Sequence, residues 1–159
     1  MKDNKKIVDI YTYMPVLQEL LSQGKEVSIT ITGNSMSPFL IHGRDQILIA
    51  PFDGNWKKGD MAFFTRTNGK YIMHRICRVD KDGSCYFVGD AQQQIEGPIA
   101  PSQIFGKIVS VQRKGRWIGP EDFWWKFFER IWINMIPFRP LLRRVYGIVW
   151  RLKRFCGII

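Results

Sequence analysis

Residues 30–38 read Thr-Ile-Thr-Gly-Asn-Ser-Met-Ser-Pro, which places a small hydroxyl between a run of β-branched residues and a proline. The run over residues 27–32 suits a strand, because branched side chains pack well on a pleated surface. Gly33 and Asn34 accept the positive φ of a sharp turn, and Pro38 holds its far side. Ser35 therefore stands on a turn at a strand end. There it reads either as a nucleophile or as a hydroxyl bonded to nearby backbone amides.

Downstream, short apolar runs at residues 46–50, 61–66, 71–79, 84–88 and 104–113 alternate with Gly, Asp or Asn turns. Asn68-Gly69 and Asp82-Gly83 join neighbouring runs, which is the signature of hairpins, and Asp53-Gly54-Asn55 is a further turn. The pattern predicts a mainly β domain, sandwich-like or a partly closed barrel. Residues 91–102 are polar with two prolines and read as a loop. Upstream, residues 14–22 read as a short helix with Pro15 in its first turn and Gly24 closing it. The chain divides into an N-terminal helical segment (1–26), a β domain (27–119) and a basic, aromatic tail (120–159), with the change of composition near Gly119-Pro120.

Gly33, Ser35, Met36 and Pro38 match the pattern Gly-x-Ser-Met-x-Pro, and in this the stretch resembles the nucleophile box of the signal peptidase I family and its SOS-repressor relatives. Further blocks resemble that family in the same order: Gly43-Arg44-Asp45, Lys58-Gly59-Asp60, His74-Arg75 and Gly89-Asp90. Where bacterial signal peptidases and SOS repressors carry a lysine, this chain has His74. In that respect it resembles the endoplasmic-reticulum and archaeal branch, in which serine works with histidine and acidic residues. The resemblance implies a signal-peptidase/SOS-repressor-like β domain and a serine endopeptidase acting on a precursor, signal or leader peptide. A non-catalytic peptide-binding module of the same fold and a self-cleaving protein are the alternatives; for the latter, Cys156-Gly157 is a candidate bond.

The chemistry asks for particular partners. A serine hydroxyl attacks a carbonyl only when a base takes its proton. His74 is that candidate, since a neutral imidazole with a reference pKa of about 6.5 accepts a proton near pH 7 and returns it to the leaving amine. A carboxylate must orient the ring, and Asp90 and Glu96 compete for that place, with Asp90 slightly favoured. The amide of Ser35 is the expected oxyanion donor, and Met36 and Phe39 are expected to floor an apolar groove. Asp45, Asp60 and Arg75 read as structural. No cofactor or metal is implied: Cys77, Cys85 and Cys156 lack metal-ligand spacing and are taken as thiols.

The net charge is +10, and residues 121–159 carry eight Lys/Arg against three Asp/Glu, so half of that charge lies in the tail. Such a surplus suits nucleic acid or an anionic membrane, and no nucleic-acid-binding motif is present. A uniform helical projection of residues 123–136 gathers Trp124, Phe127, Phe128, Ile131, Trp132 and Met135 on one side. A second, over 141–155, sets Leu141, Val145, Ile148, Val149 and Leu152 against Arg143, Arg144, Arg151 and Arg154. No run reaches the roughly 20 apolar residues that span a bilayer. The tail is thus expected to lie on a membrane surface or to pack on the domain or a partner. With no signal-like or anchor-like run among residues 1–6, the expected location is cytoplasmic, peripheral at the inner face of the membrane, with the β domain separable at Gly119.

Overall fold

Met61, Ala62, Phe63 and Phe64 are apolar at four successive positions, and a strand can bury such a run only if both its faces are covered. In the computed structural model, which describes residues 10–52 and 54–142, strand β3 (Met61–Thr65) meets this condition. Met61 and Phe63 belong to one buried cluster, and Ala62 and Phe64 to another. The remaining strands are β1 (Val27–Thr30), β2 (Gln46–Ala50), β4 (Tyr71–Val79), β5 (Cys85–Val88), β6 (Glu96–Ile99), β7 (Ile104–Arg113) and β8 (Arg116–Ile118). All pairings are antiparallel, in the order β1-β2-β7-β3-β4-β5-β6, with β8 also on β7. The mainly β expectation holds, and the Asn68-Gly69 and Asp82-Gly83 turns do join paired strands.

Three elements differ from the sequence reading. The helix α1 runs over Ile10–Ser22, so Pro15 lies inside it. Met14, Leu17 and Leu21, spaced at one helical face, are buried in the first cluster and offset the lost backbone bond. Part of the supposed loop 91–102 is strand β6, which pairs Glu96 with Phe87 and Ile99 with Cys85. Its Pro98 is tolerated because β6 is an edge strand. Strand β8 follows a two-residue turn in which Lys114 and Gly115 both have positive φ, a hairpin written without the usual Asn-Gly.

The tail folds against the β domain as far as it is described. Asp122 caps its first turn by accepting the Trp124 N–H at 2.8 Å. Helix α2 (Phe123–Lys126) then widens into a π turn over Phe127–Ile131 and tightens into a 3₁₀ stretch over Trp132–Phe138. Each change of pitch rotates the side chains away from a uniform projection. The buried apolar residues are consequently Trp125, Phe128 and Ile133, of which a regular projection had gathered only Phe128 on its apolar side, while Phe127 and Trp132 pack partly buried. Phe39 meets two of them, its ring 4.8 Å from that of Phe128 and 6.2 Å from that of Trp125. Gly59 lets the tail approach, since a Cβ there would stand 2.8 Å from the Glu129 carbonyl oxygen. The second amphipathic stretch from residue 143 on, with Arg143, Arg144, Arg151 and Arg154, and Cys156 beyond it lie outside the described residues.

Through Trp125 and Phe128 the tail shares the buried cluster of the β domain. Phe128→Ala should cost about 3–5 kcal/mol in urea unfolding. A chain ending at Gly119, which also strips Trp125 and Ile133 from the core, should melt well below the full-length protein or aggregate.

Candidate active site

Backbone bonds on both sides fix the turn that carries Ser35. The Ile31 N–H donates to the Asp45 carbonyl and the Gly43 N–H to the Ile31 carbonyl, at 2.9 and 2.8 Å. The Gly33 N–H donates to His42 Nδ1 at 2.9 Å, so His42 fastens the turn with an unprotonated Nδ1. Within the turn, the Ser37 N–H reaches the Asn34 carbonyl, and the Leu40 N–H that of Met36. The carbonyl of Ser35 itself accepts the Ala91 N–H at 2.8 Å. Gly89 lies so close that a Cβ on it would stand 2.6 Å from that same oxygen.

Ser35 and His74 line one cleft of about 350 Å³. Ile29, Thr30, Ile31, Thr32 and Gly33 form part of its wall, and Tyr71, Ile72 and Met73 another part, with Met14, Met36, Arg66 and Gln92 also exposed to it. Of the two residues expected to floor a groove, Met36 does line the cleft. Phe39 is instead fully buried against Trp125 and Phe128.

His74 stands in β4 opposite Ala62 and is almost wholly buried. Its Nδ1 lies 3.3 Å from Glu96 Oε1, without an aligned hydrogen bond. Glu96 is gripped by Arg66, whose Nε and Nη2 donate to its two oxygens at 2.5 and 2.7 Å. Burial holds the His74 pKa below the ordinary value; the Glu96 charge opposes this and the Arg66 charge reinforces it. The Arg66 hydrogen bonds, above all, keep the Glu96 pKa below the usual carboxylate range, against the effect of burial. At neutral pH the pair is an uncharged imidazole beside a charged carboxylate, which is the resting state a general base requires.

Asp90, the carboxylate slightly favoured from sequence, has a different partner. It accepts Arg75 Nε and Nη2 at 3.0 Å each, and both side chains are fully buried. Arg75 Nη1 donates to the Gly59 carbonyl at 2.9 Å. The structure thus brings Ser35 and His74 to one cleft, sets Glu96 against the ring of His74, and ties Asp90 to Arg75 instead. Asp60 braces its turn through the Lys57 N–H and Lys107, and Asp45 braces Ile41 and Lys114. Burial pushes the Cys85 thiol up to about 11 and also raises that of Cys77, so neither offers a thiolate to rival Ser35.

A family model described as Peptidase S24-like matches residues 4–109. The chain belongs to the Peptidase S24-like family. This Peptidase S24-like match takes in Ser35, His74, Asp90 and Glu96 and ends within β7, before the tail. The family comprises serine peptidases and self-cleaving repressors, which makes the chain serine-peptidase-like at this coarse level. No curated protein matches the chain.

Sequence reasoning missed Arg66 and Gln92. Arg66 follows β3 directly, and only the pairing of β3 through β4 and β5 to β6 carries it to a glutamate 30 residues away. The electrostatic order can be read by NMR titration of the His74 ring. In the wild type it should titrate below about 6.5. In Arg66→Gln the midpoint should move upward, because the opposing positive charge is gone while Glu96 still favours the imidazolium.

Proposed function

We propose that this protein is a serine endopeptidase of the Ser-His type, with Ser35 as nucleophile, His74 as general base and Glu96 as the carboxylate that supports the imidazolium. One observation carries the reading: Ser35 and His74 line one cleft, and a carboxylate oxygen of Glu96 lies 3.3 Å from Nδ1 of that same His74. As Ser35 Oγ bonds to the scissile carbonyl carbon, its proton passes to His74, which then returns it to the departing amine. Water hydrolyses the acyl-enzyme with His74 again as base. Arg66 keeps Glu96 ionised, and the Ser35 amide is the proposed oxyanion donor.

The proposed substrate is an extended precursor, signal or leader peptide. β1 is an edge strand, and β4 pairs with β5 only from Arg75 onward, so residues 72–74 turn a second strand edge toward the cleft. A peptide laid between these edges gains main-chain hydrogen bonds from both sides, with apolar Ile29, Ile31, Met36 and Phe63 to receive its side chains. The expected outcome is cleavage of members of an extended-peptide library, detected by mass spectrometry. Ser35→Ala and His74→Ala should lower kcat/KM by about 10²- to 10⁴-fold. Cleavage that survives Ser35→Ala would refute the catalytic assignment, and peptide binding without turnover in the wild type would favour a binding module.

We also propose that the tail touches an anionic membrane surface, with the active domain on the cytoplasmic side, where the anionic leaflet lies. Phe123, Trp124, Ile131, Phe138 and Leu141 remain exposed after the tail has packed, and the chain carries a net charge of +10. Among the described residues, no helix is long and apolar enough to cross a membrane. Sedimentation with vesicles should rise with anionic lipid and fall with salt, whose screening length is about 8 Å at 0.15 M. Equal sedimentation with neutral and anionic vesicles would refute the attachment.

A further inference from the structure

We propose that the tail is a working part of the active site: Trp132 and Arg139 are positioning residues that hold the 89–92 loop against the backbone of Ser35. The inference rests on the peptidase reading for its meaning, but on geometry alone for the clamp. Arg139 is only 1% exposed. A buried guanidinium is costly unless its donors are satisfied, and the nearest buried acid, Asp90, is already held by two bonds from Arg75. The hydrogen-bond partners of Arg139 are backbone carbonyls: Nη1 donates to Gly89 and to Gln92 at 2.7 Å each and Nη2 to Trp132 at 3.2 Å, while the buried Nε makes no hydrogen bond among the described residues. Trp132 Nε1 donates to the Asp90 carbonyl at 2.9 Å. Tail side chains thus bond the carbonyls of residues 89, 90 and 92.

The other side of the same loop faces the nucleophile. The Ala91 N–H bonds the Ser35 carbonyl, the Gly89 Cα lies flush against that oxygen, and the Gln92 side chain lines the cleft. Residues 89–92 thus join the two: tail side chains hold their carbonyls, while Gly89 and the Ala91 N–H meet the Ser35 carbonyl. Holding the Ser35 carbonyl restrains the backbone from which its side chain springs, and a misplacement of about 1 Å at a reacting centre costs about 10² in rate. Both clamp residues lie beyond the family match, which ends at residue 109. The tail therefore completes the site of this chain by contacts that the matched region does not contain.

The test uses full-length protein with Arg139→Met, which keeps length and removes every donor, and Trp132→Phe, which keeps the ring and removes one. Exchange of the Ala91 amide is followed by NMR, and kcat is normalised to the fraction of Ser35 that takes an active-site titrant. In Arg139→Met, Ala91 exchange should quicken and kcat should fall, each by about tenfold, with KM within about twofold; Trp132→Phe should shift both by about threefold. Arg139→Lys should lie between wild type and Arg139→Met. A merely structural role would lower the titratable fraction and leave kcat per site unchanged, which would overturn the inference. So would unchanged Ala91 exchange in a folded variant. If Arg139→Met does not fold, Trp132→Phe carries the same two readouts. Should the wild type cut nothing while Ala91 exchange still responds, the clamp stands and the peptidase reading falls.

Discussion

The buried ion pair between Arg75 and Asp90 is the constraint from which the site is built. Both side chains are fully buried, and the guanidinium also bonds the Gly59 carbonyl and lies 5.2 Å from the centre of the Phe39 ring. Four separate pieces of chain meet there: β4, the loop after β5, the turn before β3 and the segment that follows the nucleophile. Exchanging such a pair for apolar residues can be neutral, but removing one partner strands a charge and typically costs about 3–5 kcal/mol. The pair thus specifies one arrangement of the four segments. Arg75 adjoins His74 in β4, and Asp90 adjoins the residue whose amide bonds Ser35. One interaction sets both halves of the proposed dyad.

Two carboxylates near one imidazole might have competed, and the strands separate them. Asp90 follows β5 and meets a dedicated arginine in a dry interior. Glu96 opens β6, retains partial exposure, and shares its charge between Arg66 and His74. Arg66 lowers the proton affinity of both members of the pair, Glu96 chiefly through hydrogen bonds and His74 through its charge. A neutral imidazole therefore stands next to a fixed negative charge, the arrangement that would stabilise an imidazolium only once a proton has moved.

Much of this was legible from local chemistry. The alternation of short apolar runs with Asn-Gly and Asp-Gly turns defines β3, β4 and β5 almost to the residue, because turn geometry and pleat period are local properties. Ser35 and His74 were legible as residue types that need each other. The contact of Glu96 with His74 was not legible, because Gly97-Pro98 hides a strand that exists only through pairing with β5. The tail was misread as a regular helix because a π turn and a 3₁₀ stretch leave no periodic trace. Arg66 and Arg139 act through partners 30 or more residues away, and separations of that kind are decided by sheet order and packing.

The account stands or falls on whether Ser35 is an activated nucleophile. Treatment of the full-length protein with a serine-directed fluorophosphonate, followed by peptide mapping of the adduct, addresses this directly. The account predicts a single adduct at Ser35, formed at a rate that follows deprotonation of a group titrating below about 6.5 and lost in His74→Ala. A folded protein that forms no adduct, or carries it on another residue with Ser35 unmodified, would contradict it.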